Sequence, residues 1–441
     1  MTVALIVIIF LVFAALMFFG RLPALLALPL MAVAIAAAAG VSATDLAQVV
    51  VADGMLRLNA AYTAAIVGAI LAEVVRQTGI AETVLKWAAE LGGDRPILLT
   101  LILIVVSALL FTTLGGLGAV IMVGTIVLPI LLSLGLSPLT AASVFLMALS
   151  LGGVFNPVNW QFYETVLRLP QPEVIRVALL LGALLAVVTV AFLIWEVKRG
   201  GLRRYWAEPT EPRHRAPWWA LPTPIVPIVL VLAFHFWGVH QKNIGATATP
   251  FEFPILAAML VGVAYGVLTT LRRGRSAIQL LSRATFEGIG NVAPAVALMM
   301  GIGMVLSAMM GPAAGQPEQW PTVAAMKPAI LALTPTSAIG IVLGFGLLAP
   351  LALYRGPLNV WGMGAGIAGA MLGVGALPAA SIMAVFFSVG LVQGICDPTN
   401  THNVWVATYV NSDVQAILRK TLPWIWAAAI VGLALTVLAT T

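Results

Sequence analysis

Two apolar runs in this chain, each long enough to lie in a membrane, stop at the same kind of interruption. One stops at the Asn-Pro-Val-Asn of residues 156–159 and the other at the Asp-Pro-Thr-Asn of residues 397–400. A proline in a helix removes one backbone donor and frees a carbonyl, and in the absence of water those groups need other partners. The shared Asx-Pro-x-Asn pattern, with prolines 398 − 157 = 241 residues apart, therefore predicts two broken helices inside a bilayer.

Composition agrees with a membrane protein. Hydrophobic residues make up 61% of the 441 positions and charged residues only 9%, whereas soluble proteins carry about 25% charged residues. The net charge of +6 comes from Lys and Arg in short loops between apolar runs, which is the positive-inside pattern and requires no nucleic-acid partner. A single cysteine, Cys396, excludes an internal disulfide framework and a multi-cysteine metal site, and the four histidines form no cluster with ligand spacing.

The apolar runs predict an all-α polytopic protein with roughly 10–12 membrane elements, because about 17–25 apolar residues cross a bilayer. The runs are Val3–Phe19, Leu25–Gly40, Ala60–Val75, Ile97–Phe111, Leu117–Leu134, Pro138–Asn156, Val177–Trp195, Ile225–Val239, Ile255–Leu271, Val292–Met310, Ile330–Leu348, Val360–Val374, Pro378–Ile395 and Pro423–Leu438. The first could be a signal peptide, but no Lys or Arg precedes it; we therefore expect a retained transmembrane helix.

The central loop gives the strongest orientation signal. Residues 198–215 contain six Lys or Arg against two Glu, which predicts a basic cytoplasmic linker, 198–217, between a first repeat, 1–197, and a second, 218–441. The arginines of 272–283 and Arg419-Lys420 belong to the same side. We therefore expect a multi-pass protein of the cytoplasmic (inner) membrane.

Further pairs of positions support a duplication. Gly115 and Gly356 are 241 residues apart, Pro138 and Pro378 are 240 apart, and Asp53-Gly54 precedes Glu287-Gly288 by 234. Following the basic loops, the first half begins outside and the second inside, so the repeats are inverted. Segments 97–134 and 330–374, with tips at 112–116 and 354–359, are either re-entrant hairpins or pairs of spanning helices; both choices return the chain to the same side.

Inverted repeats with helices broken at matching positions are typical of secondary transporters whose site lies near the midplane. A broken helix exposes N–H groups at the start of one half and carbonyls at the end of the other. The first kind of end attracts a carboxylate, and the second, with side-chain oxygens, can hold a cation. Two breaks facing each other make one site, which rocking would expose to each side in turn.

The inverted halves, the paired hairpin-like tips and the two Asx-Pro-x-Asn breaks resemble the ion transporter superfamily, in particular its organic-anion members: gluconate permeases, citrate carriers and C4-dicarboxylate carriers. In architecture the resemblance covers nearly the whole chain. It implies scaffold and transport elements, with substrate held between tips and breaks. Where sodium-coupled dicarboxylate carriers typically have Ser-Asn-Thr, this chain has other polar residues, namely Thr112-Thr113, Asn156, Asn159, Asn359 and Asn400-Thr401.

The candidate site follows from these tips and breaks. The expected substrate-binding residues are Thr112, Thr113, Gly115, Asn156, Asn159, Arg355, Asn359, Thr399, Asn400 and His402. Asp397 and Asn403 are the expected ion-coupling residues, and Na⁺ could bind at Asn156 and Asp397. No cofactor is expected beyond a coupling ion, H⁺ or Na⁺; the expected partners are a small anionic substrate, the bilayer and a possible second copy in a homodimer.

Each residue also has a plainer interpretation. Arg355 could pair with a substrate carboxylate, pair with Asp397, or extend to an interface. Asp397 could hold a cation, carry a proton or only cap a helix. His402 could titrate or be a satisfied loop histidine, and the four asparagines of the breaks are good helix caps as well as good ligands. Glu73 and Glu287 could relay protons or only terminate helices, and Cys396 is most simply a small apolar residue.

These patterns favour a secondary active transporter of a small organic anion, coupled to protons or sodium. The alternative with the same fold is a cation/proton antiporter or an inorganic oxyanion exchanger. A passive channel and an intramembrane enzyme built on Cys396, Asp397 and His402 are less favoured, because the first half has Phe155 and Asn156 at the equivalent positions. The identity of the anion and of the coupling ion, symport or exchange, and the oligomeric state stay open at this point.

Overall fold

A computed structural model describes residues 2–19, 21–92, 95–200, 216–243, 253–271, 276–312, 320–362 and 364–440. The first half contains the helices α1 (Thr2–Phe18), α2 (Ala24–Ala38), α3 (Ala43–Asp45), α4 (Gly54–Leu56), α5 (Asn59–Gln77), α6 (Ile80–Gly92), α7 (Pro96–Phe111), α8 (Gly116–Ser133), α9 (Pro138–Val154), α10 (Pro157–Leu167) and α11 (Gln171–Gly200). A π-helical segment, Leu46–Asp53, joins α3 to α4.

The second half begins with two short 3₁₀ turns, Trp218–Ala220 and Thr223–Ile225. Its helices are α12 (Val226–Asn243), α13 (Ile255–Thr270), α14 (Ala277–Met310), α15 (Pro321–Leu333), α16 (Ala338–Leu347), α17 (Gly364–Gly373), α18 (Ala379–Cys396), α19 (Thr401–Tyr409) and α20 (Val414–Thr440). A 3₁₀ segment, Ala349–Arg355, follows α16.

These helices make the chain a multi-pass membrane protein. Within the described residues, seven helical segments are long and apolar enough to cross a membrane, and nine if each of two bent pairs counts as one span. One bent pair is α9 with α10, at 51°, and the other is α15 with α16, at 99°. The predicted all-α polytopic fold with broken helices is confirmed.

Helix boundaries repeat between the halves. A shift of 241 residues carries α9, 138–154, onto 379–395, and α18 occupies Ala379–Cys396. The same shift carries α6, 80–92, onto 321–333, which are the bounds of α15. The sequence offset therefore reappears as equivalent helices.

The crossing of α14 with the helical stretch Ala43–Gln77, which includes α4 and α5 and is called here the crossing of α5 and α14, shows how the halves are related. A Cβ added to Gly303 would lie 2.2 Å from the carbonyl oxygen of Gly54, and one added to Gly288 would lie 2.9 Å from the carbonyl carbon of Ala69. With the offset of 234, Gly54 becomes Gly288 and Gly303 becomes residue 69, so each contact is the image of the other. Reciprocal contacts of this kind define a two-fold axis.

Two side-chain hydrogen bonds repeat the same relationship. Arg57 Nη1 donates to Ser307 Oγ over 3.1 Å, and Asn291 Nδ2 donates to Glu73 Oε1 over 2.9 Å. The offset of 234 converts 57 into 291 and 307 into 73. Because the two antiparallel helices both cross the membrane, the axis between them lies in the membrane plane, and the repeats are inverted.

The tips lie at the level of the breaks. Asn156 Nδ2 donates to the carbonyl of Phe111, at the end of α7, over 3.3 Å. In the second half, the backbone N–H of Arg355 donates to Asp397 Oδ2 over 3.3 Å. Each first arm therefore ends where a neighbouring span is interrupted, so both segments are re-entrant hairpins.

The second hairpin begins later than the apolar run predicts. Residues 330–333 belong to α15, and α16 starts afresh at Ala338. Ser337 caps it, its Oγ accepting from the N–H of Gly340 over 3.1 Å. Pro335 and the Ser337 cap therefore divide the apolar run Ile330–Leu348 between two helices, because proline disfavours helix at the preceding residue.

One ion pair fixes which ends share a side of the membrane. Glu196, near the end of α11, pairs with Lys420 on α20 and accepts from Thr140 Oγ1, near the start of α9, over 3.1 Å. Since α11 runs on to Gly200, this is the side of the central linker, called here the basic side. Of the predicted basic loops, residues 201–215 and 272–275 lie outside the described residues, and the repeat boundaries at 197 and 218 stay a prediction.

Candidate functional site

The second break is built around the carboxylate of Asp397. α18 ends at Cys396, and Asp397 has an extended backbone and no exposed surface. Its Oδ1 accepts from the backbone N–H of Thr399 over 2.9 Å and from Thr399 Oγ1 over 2.7 Å. Because Pro398 has no N–H, this side chain supplies the turn that restarts the helix.

Two asparagines take up carbonyls that the break releases. Asn400 Nδ2 donates to the carbonyl of Gln393 over 2.7 Å, and Asn403 Nδ2 donates to the carbonyl of Asp397 over 2.8 Å. Gln393 Nε2 donates in return to Asn400 Oδ1 over 3.2 Å. These side chains therefore satisfy carbonyls at the end of α18, while Asn400, which precedes α19, makes no side-chain cap to that helix.

One oxygen at this break has no partner. Asn403 is 1% exposed, and its Oδ1 accepts no hydrogen bond in the part of the chain that the structure describes. A buried amide oxygen without a donor costs free energy, about 1–3 kcal/mol for a neutral group. Such an oxygen is available to a cation.

The first break has the same design without a charge. Asn156 Oδ1 accepts from the backbone N–H of Val158 over 3.0 Å, and Asn159 Nδ2 donates to the carbonyl of Gly153 over 2.7 Å. Trp160 Nε1 donates to the carbonyl of Val154 over 2.8 Å. Trp160 was absent from the sequence-based candidates, because an apolar residue in an apolar run carries no signal of this bond.

The second tip is a strained, tightly folded loop. Tyr354 and Arg355 both have left-handed backbones, with φ of 57° and 58°, a conformation that costs a non-glycine residue roughly 1–2 kcal/mol. A Cβ on Gly362 would lie 2.6 Å from the carbonyl of Arg355, and one on Gly364 would lie 2.6 Å from that of Asn359. Only glycine fits at these two positions.

Arg355 and Asn359 meet Asp397 at this tip. Asp397 Oδ2 accepts from the backbone N–H of Arg355 and, at 3.5 Å, lies within reach of Asn359 Nδ2. The guanidinium of Arg355 is half-buried and makes one hydrogen bond among the described residues, from Nη1 to the carbonyl of Trp361 over 3.2 Å. The direct contact of Arg355 with Asp397 therefore runs through the backbone N–H, while the guanidinium lies within electrostatic range of that carboxylate without bonding it and can still bind a ligand.

The first tip directs its hydroxyls elsewhere. Thr113 Oγ1 donates to the carbonyl of Pro224 over 2.6 Å, and Thr112 Oγ1 donates to that of Leu109 over 2.7 Å. Gly115 is exposed, and a Cβ there would meet nothing within 4 Å. Of the predicted residues at this tip, Gly115 faces open space, whereas both threonines are buried.

His402 belongs to the second break. The half-buried imidazole bonds the backbone of Gly394 and lies within electrostatic range of Arg355. Thr399, beside it, is exposed. The structure thus gathers Arg355, Asn359, Asp397, Thr399, Asn400, His402 and Asn403 at one tip and break.

An aromatic chain connects this tip to the first broken helix. The ring centroid of Trp361 lies 5.0 Å from that of Phe162, whose neighbour Tyr163 stacks on Phe387 at 4.9 Å. Tyr163 and Phe162 are themselves 5.6 Å apart, edge to face. Sequence reasoning missed this chain, since no spacing pattern relates residues from α10, α18 and the tip.

The remaining candidates lie away from the tips. Cys396 is buried, with its Sγ 3.2 Å from Thr421 Oγ1, as expected of a small apolar residue. Glu73 is also buried and receives hydrogen bonds from Arg76, Gln77 and Asn291. Glu287 bonds Arg76 and Gln77 as well, so the two glutamates form one cluster near the basic side.

Inverted repeats, two re-entrant tips and two helix breaks define a class of multi-pass membrane fold. No protein-family model matches the sequence, and no curated protein matches it. The structure is similar to that of the YdaH transporter of Alcanivorax borkumensis, described as having an unusual topology, with a TM-score of 0.57 and 15% identity over 85% of this chain and 84% of that chain. It is also similar to Neisseria gonorrhoeae MtrF, described as illuminating a class of antimetabolite efflux pumps, with a TM-score of 0.57 and 14% identity over 89% and 82% of the two chains. At these identities the likeness shows a shared fold.

Proposed function

We propose that this protein is a secondary active transporter that moves a small organic anion by alternating access, coupled to protons or sodium. The observation that carries the proposal is the guanidinium of Arg355, half-buried at a re-entrant tip with one hydrogen bond to the described residues. The fold that it shares with two transporters supports a role in membrane transport.

Arg355 suits a carboxylate ligand. A charge inside a membrane is costly, by at least about 2.5 kcal/mol on insertion scales, and marks a functional position by default. The planar guanidinium can bind a carboxylate with two parallel hydrogen bonds. The strained backbone at Tyr354 and Arg355 is of the kind that clusters at ligand sites.

Asp397 and Asn403 suit the coupling ion. Asp397 is fully buried and accepts its hydrogen bonds from neutral donors, so within the part of the chain that the structure describes it makes no direct ion pair, although Arg355 lies within electrostatic range. The unpartnered Oδ1 of Asn403 belongs to the same break. Carbonyls and side-chain oxygens at unwound helices coordinate Na⁺ in transporters with inverted repeats, and a proton on Asp397 would neutralise the same charge.

The resemblance to the organic-anion members of the ion transporter superfamily supports the same substrate class. The cation/proton antiporter remains the alternative, because Glu73 supplies a second buried carboxylate. Glu73, however, pairs with Arg76 over 2.6 Å, on a different element from Asp397. An arginine that forms no direct ion pair among the described residues, beside one carboxylate, fits an anion with one coupling cation better.

Purified protein in proteoliposomes tests the proposal. A panel of radiolabelled mono- and dicarboxylates is offered while sodium and pH gradients are imposed separately, with Arg355→Gln protein as the matched control. We expect accumulation of at least one carboxylate in one gradient, and strongly reduced accumulation at the same substrate concentration with Arg355→Gln. Sodium–proton exchange without movement of any anion would instead establish the antiporter.

Orientation is a separate part of the proposal. The described basic-side residues include Lys198, Arg199, Arg419 and Lys420, which supports a cytoplasmic central linker in an inner membrane. A protease site inserted into 201–215 should be cut only in inside-out vesicles. Cutting in intact spheroplasts would reverse the assignment.

A further inference from the structure

We propose that the structure is the carrier state open on the basic side, and that α8 and α19 close onto α5 and α14 to form the opposite state. The inference rests on the proposed transport function, because only a carrier needs both states. The two-fold relationship predicts that each contact between helices has an equivalent on the other side of the molecule. The inference comes from contacts that are present on one side and missing from the other.

The first departure from two-fold symmetry concerns α10 and its equivalent, α19. α10 packs against α11, α17, α18 and α5. α19 packs against α20, α8 and α9, which are the images of the first three. The image of α5 is α14, and within the described residues α19 makes no contact with α14 of comparable extent.

The second asymmetry concerns the hairpins. α17 packs closely on α14: a Cβ on Gly366 would lie 2.7 Å from Val305 Cγ1, and one on Gly369 would lie 2.9 Å from Met310 Sδ. α8, the image of α17, should pack in the same way on α5. Instead its contact with α5 is slight, and a Cβ on Gly115, just before α8, or on Gly116, at its start, would meet nothing within 4 Å.

Exposure of equivalent side chains marks the open side. Val404 on α19 is 43% exposed, whereas its image Tyr163 on α10 is 4% exposed. Leu117 on α8 is 36% exposed, whereas its image Leu358 is 5% exposed. α19 leads directly to α20, whose Lys420 pairs with Glu196 on the basic side, so the gap opens toward that side.

The gap reaches the candidate site. Thr399, Thr401, Gly115 and Gly116 are all exposed and lie at or beside the second break and the first tip. A ligand on the basic side therefore has a route to Arg355, while α10 and α17 close the other side.

In the state closed on the basic side, α19 and α8 should make the contacts that α10 and α17 make here. The repeat offsets then predict which residues meet. Arg168, at the end of α10, lies within electrostatic range of Arg57. The offsets 241 and 234 convert this pair into Tyr409 and Asn291. Both are exposed, so we expect them to approach each other only when the basic side closes.

Cysteine cross-linking tests this contact without a known substrate. The background is Cys396→Ala, which removes the single native thiol. Asn291→Cys with Tyr409→Cys should be joined progressively by a short bifunctional thiol reagent in native membranes, because each bridge traps the closed state. Ile278→Cys with Tyr409→Cys is the matched control, since Ile278 is also exposed on α14 but lies about 20 Å further along it.

Thiol labelling provides the second measurement. In the same background, Leu117→Cys should react with an impermeant maleimide from the basic side and Leu358→Cys should not. Bridging Asn291→Cys to Tyr409→Cys should protect Leu117→Cys and expose Leu358→Cys to the other side. Equal labelling of the two, or no bridge in any imposed gradient, overturns the inference even if transport is found; a bridge in protein that transports no anion would uphold it and count against the proposed substrate class.

Discussion

Asn156 and Asp397 stand at equivalent positions, and each accepts a hydrogen bond from the backbone N–H two residues later, over 3.0 Å from Val158 and 2.9 Å from Thr399. The same turn is therefore made by a neutral amide in one half and by a carboxylate in the other. Capping this break does not require a charge. The charge of Asp397 has another use, and coupling to an ion is the use we propose.

Asp397→Asn should separate capping from coupling. We expect the variant to fold, since asparagine already makes this cap at position 156, and to exchange substrate across liposomes at equilibrium. Accumulation driven by a gradient should fall to the level of passive exchange. Counterflow and gradient-driven uptake, measured on the same preparation, give the comparison; an Asp397→Asn carrier that concentrates substrate like the wild type would eliminate the coupling role.

Arg355→Gln should weaken substrate binding about 10- to 100-fold, because a hydrogen bond to a charged group contributes about 1.5–3 kcal/mol. Arg355→Lys should recover only part of the affinity, since a point charge cannot form the two parallel bonds of a guanidinium. Binding is measured by calorimetry on purified protein. Size-exclusion profiles control for folding, and unchanged affinity in Arg355→Gln would remove Arg355 from the site.

Gly303→Ala and Gly288→Ala should both destabilise the crossing of α5 and α14. The added methyl group would lie 2.2 Å from the carbonyl oxygen of Gly54 in one case and 2.9 Å from backbone of Ala69 in the other. Overpacking of this kind costs about 1–3 kcal/mol. Gly290→Ala is the control on the same helix, because a Cβ there meets nothing within 4 Å. In detergent, the unfolding temperature of Gly290→Ala should equal that of the wild type or lie slightly above it. Similar losses of stability in all three variants would contradict the assignment.

Lys420→Met should destabilise the protein by leaving Glu196 without its cationic partner, since the two side chains are only 20% and 13% exposed. Removing one member of a buried ion pair costs about 3–5 kcal/mol, and partial exposure reduces this value. Lys420→Met combined with Glu196→Gln should restore much of the loss. Thermal unfolding of the single and double variants measures the difference, and an additive double variant would show that the pair contributes nothing.

The repeat was accessible from sequence because proline, glycine and charge leave marks on it. The offsets of 241 and 234 reappear as equivalent helices and as the paired contacts of α5 with α14. The interruption at 334–337 was missed within the run Ile330–Leu348, since the long apolar pattern outweighed one proline and one serine cap. The equivalence of Arg57 and Asn291 was also missed, because the two residue types differ.

The candidate site, too, was only partly predictable from the sequence. Residue type pointed to Asp397, Arg355 and the asparagines. The route of the Arg355–Asp397 contact through a backbone N–H depends on left-handed backbone at Tyr354 and Arg355, which no residue type demands. The hydrogen bond from Thr113 to the carbonyl of Pro224 depends on where a turn of the second half packs, which the residues around Thr113 do not reveal.

The crossing of α5 and α14 also bears on origin. A single ancestral repeat that inserted into the membrane in both orientations would have met a second copy at this crossing as a symmetric dimer. Fusion of the two copies would free the side chains to differ: arginine faces serine on one side of the axis, and asparagine faces glutamate on the other. Three of the four backbone positions at the contact are glycine, because close approach of the main chains leaves little room for a side chain.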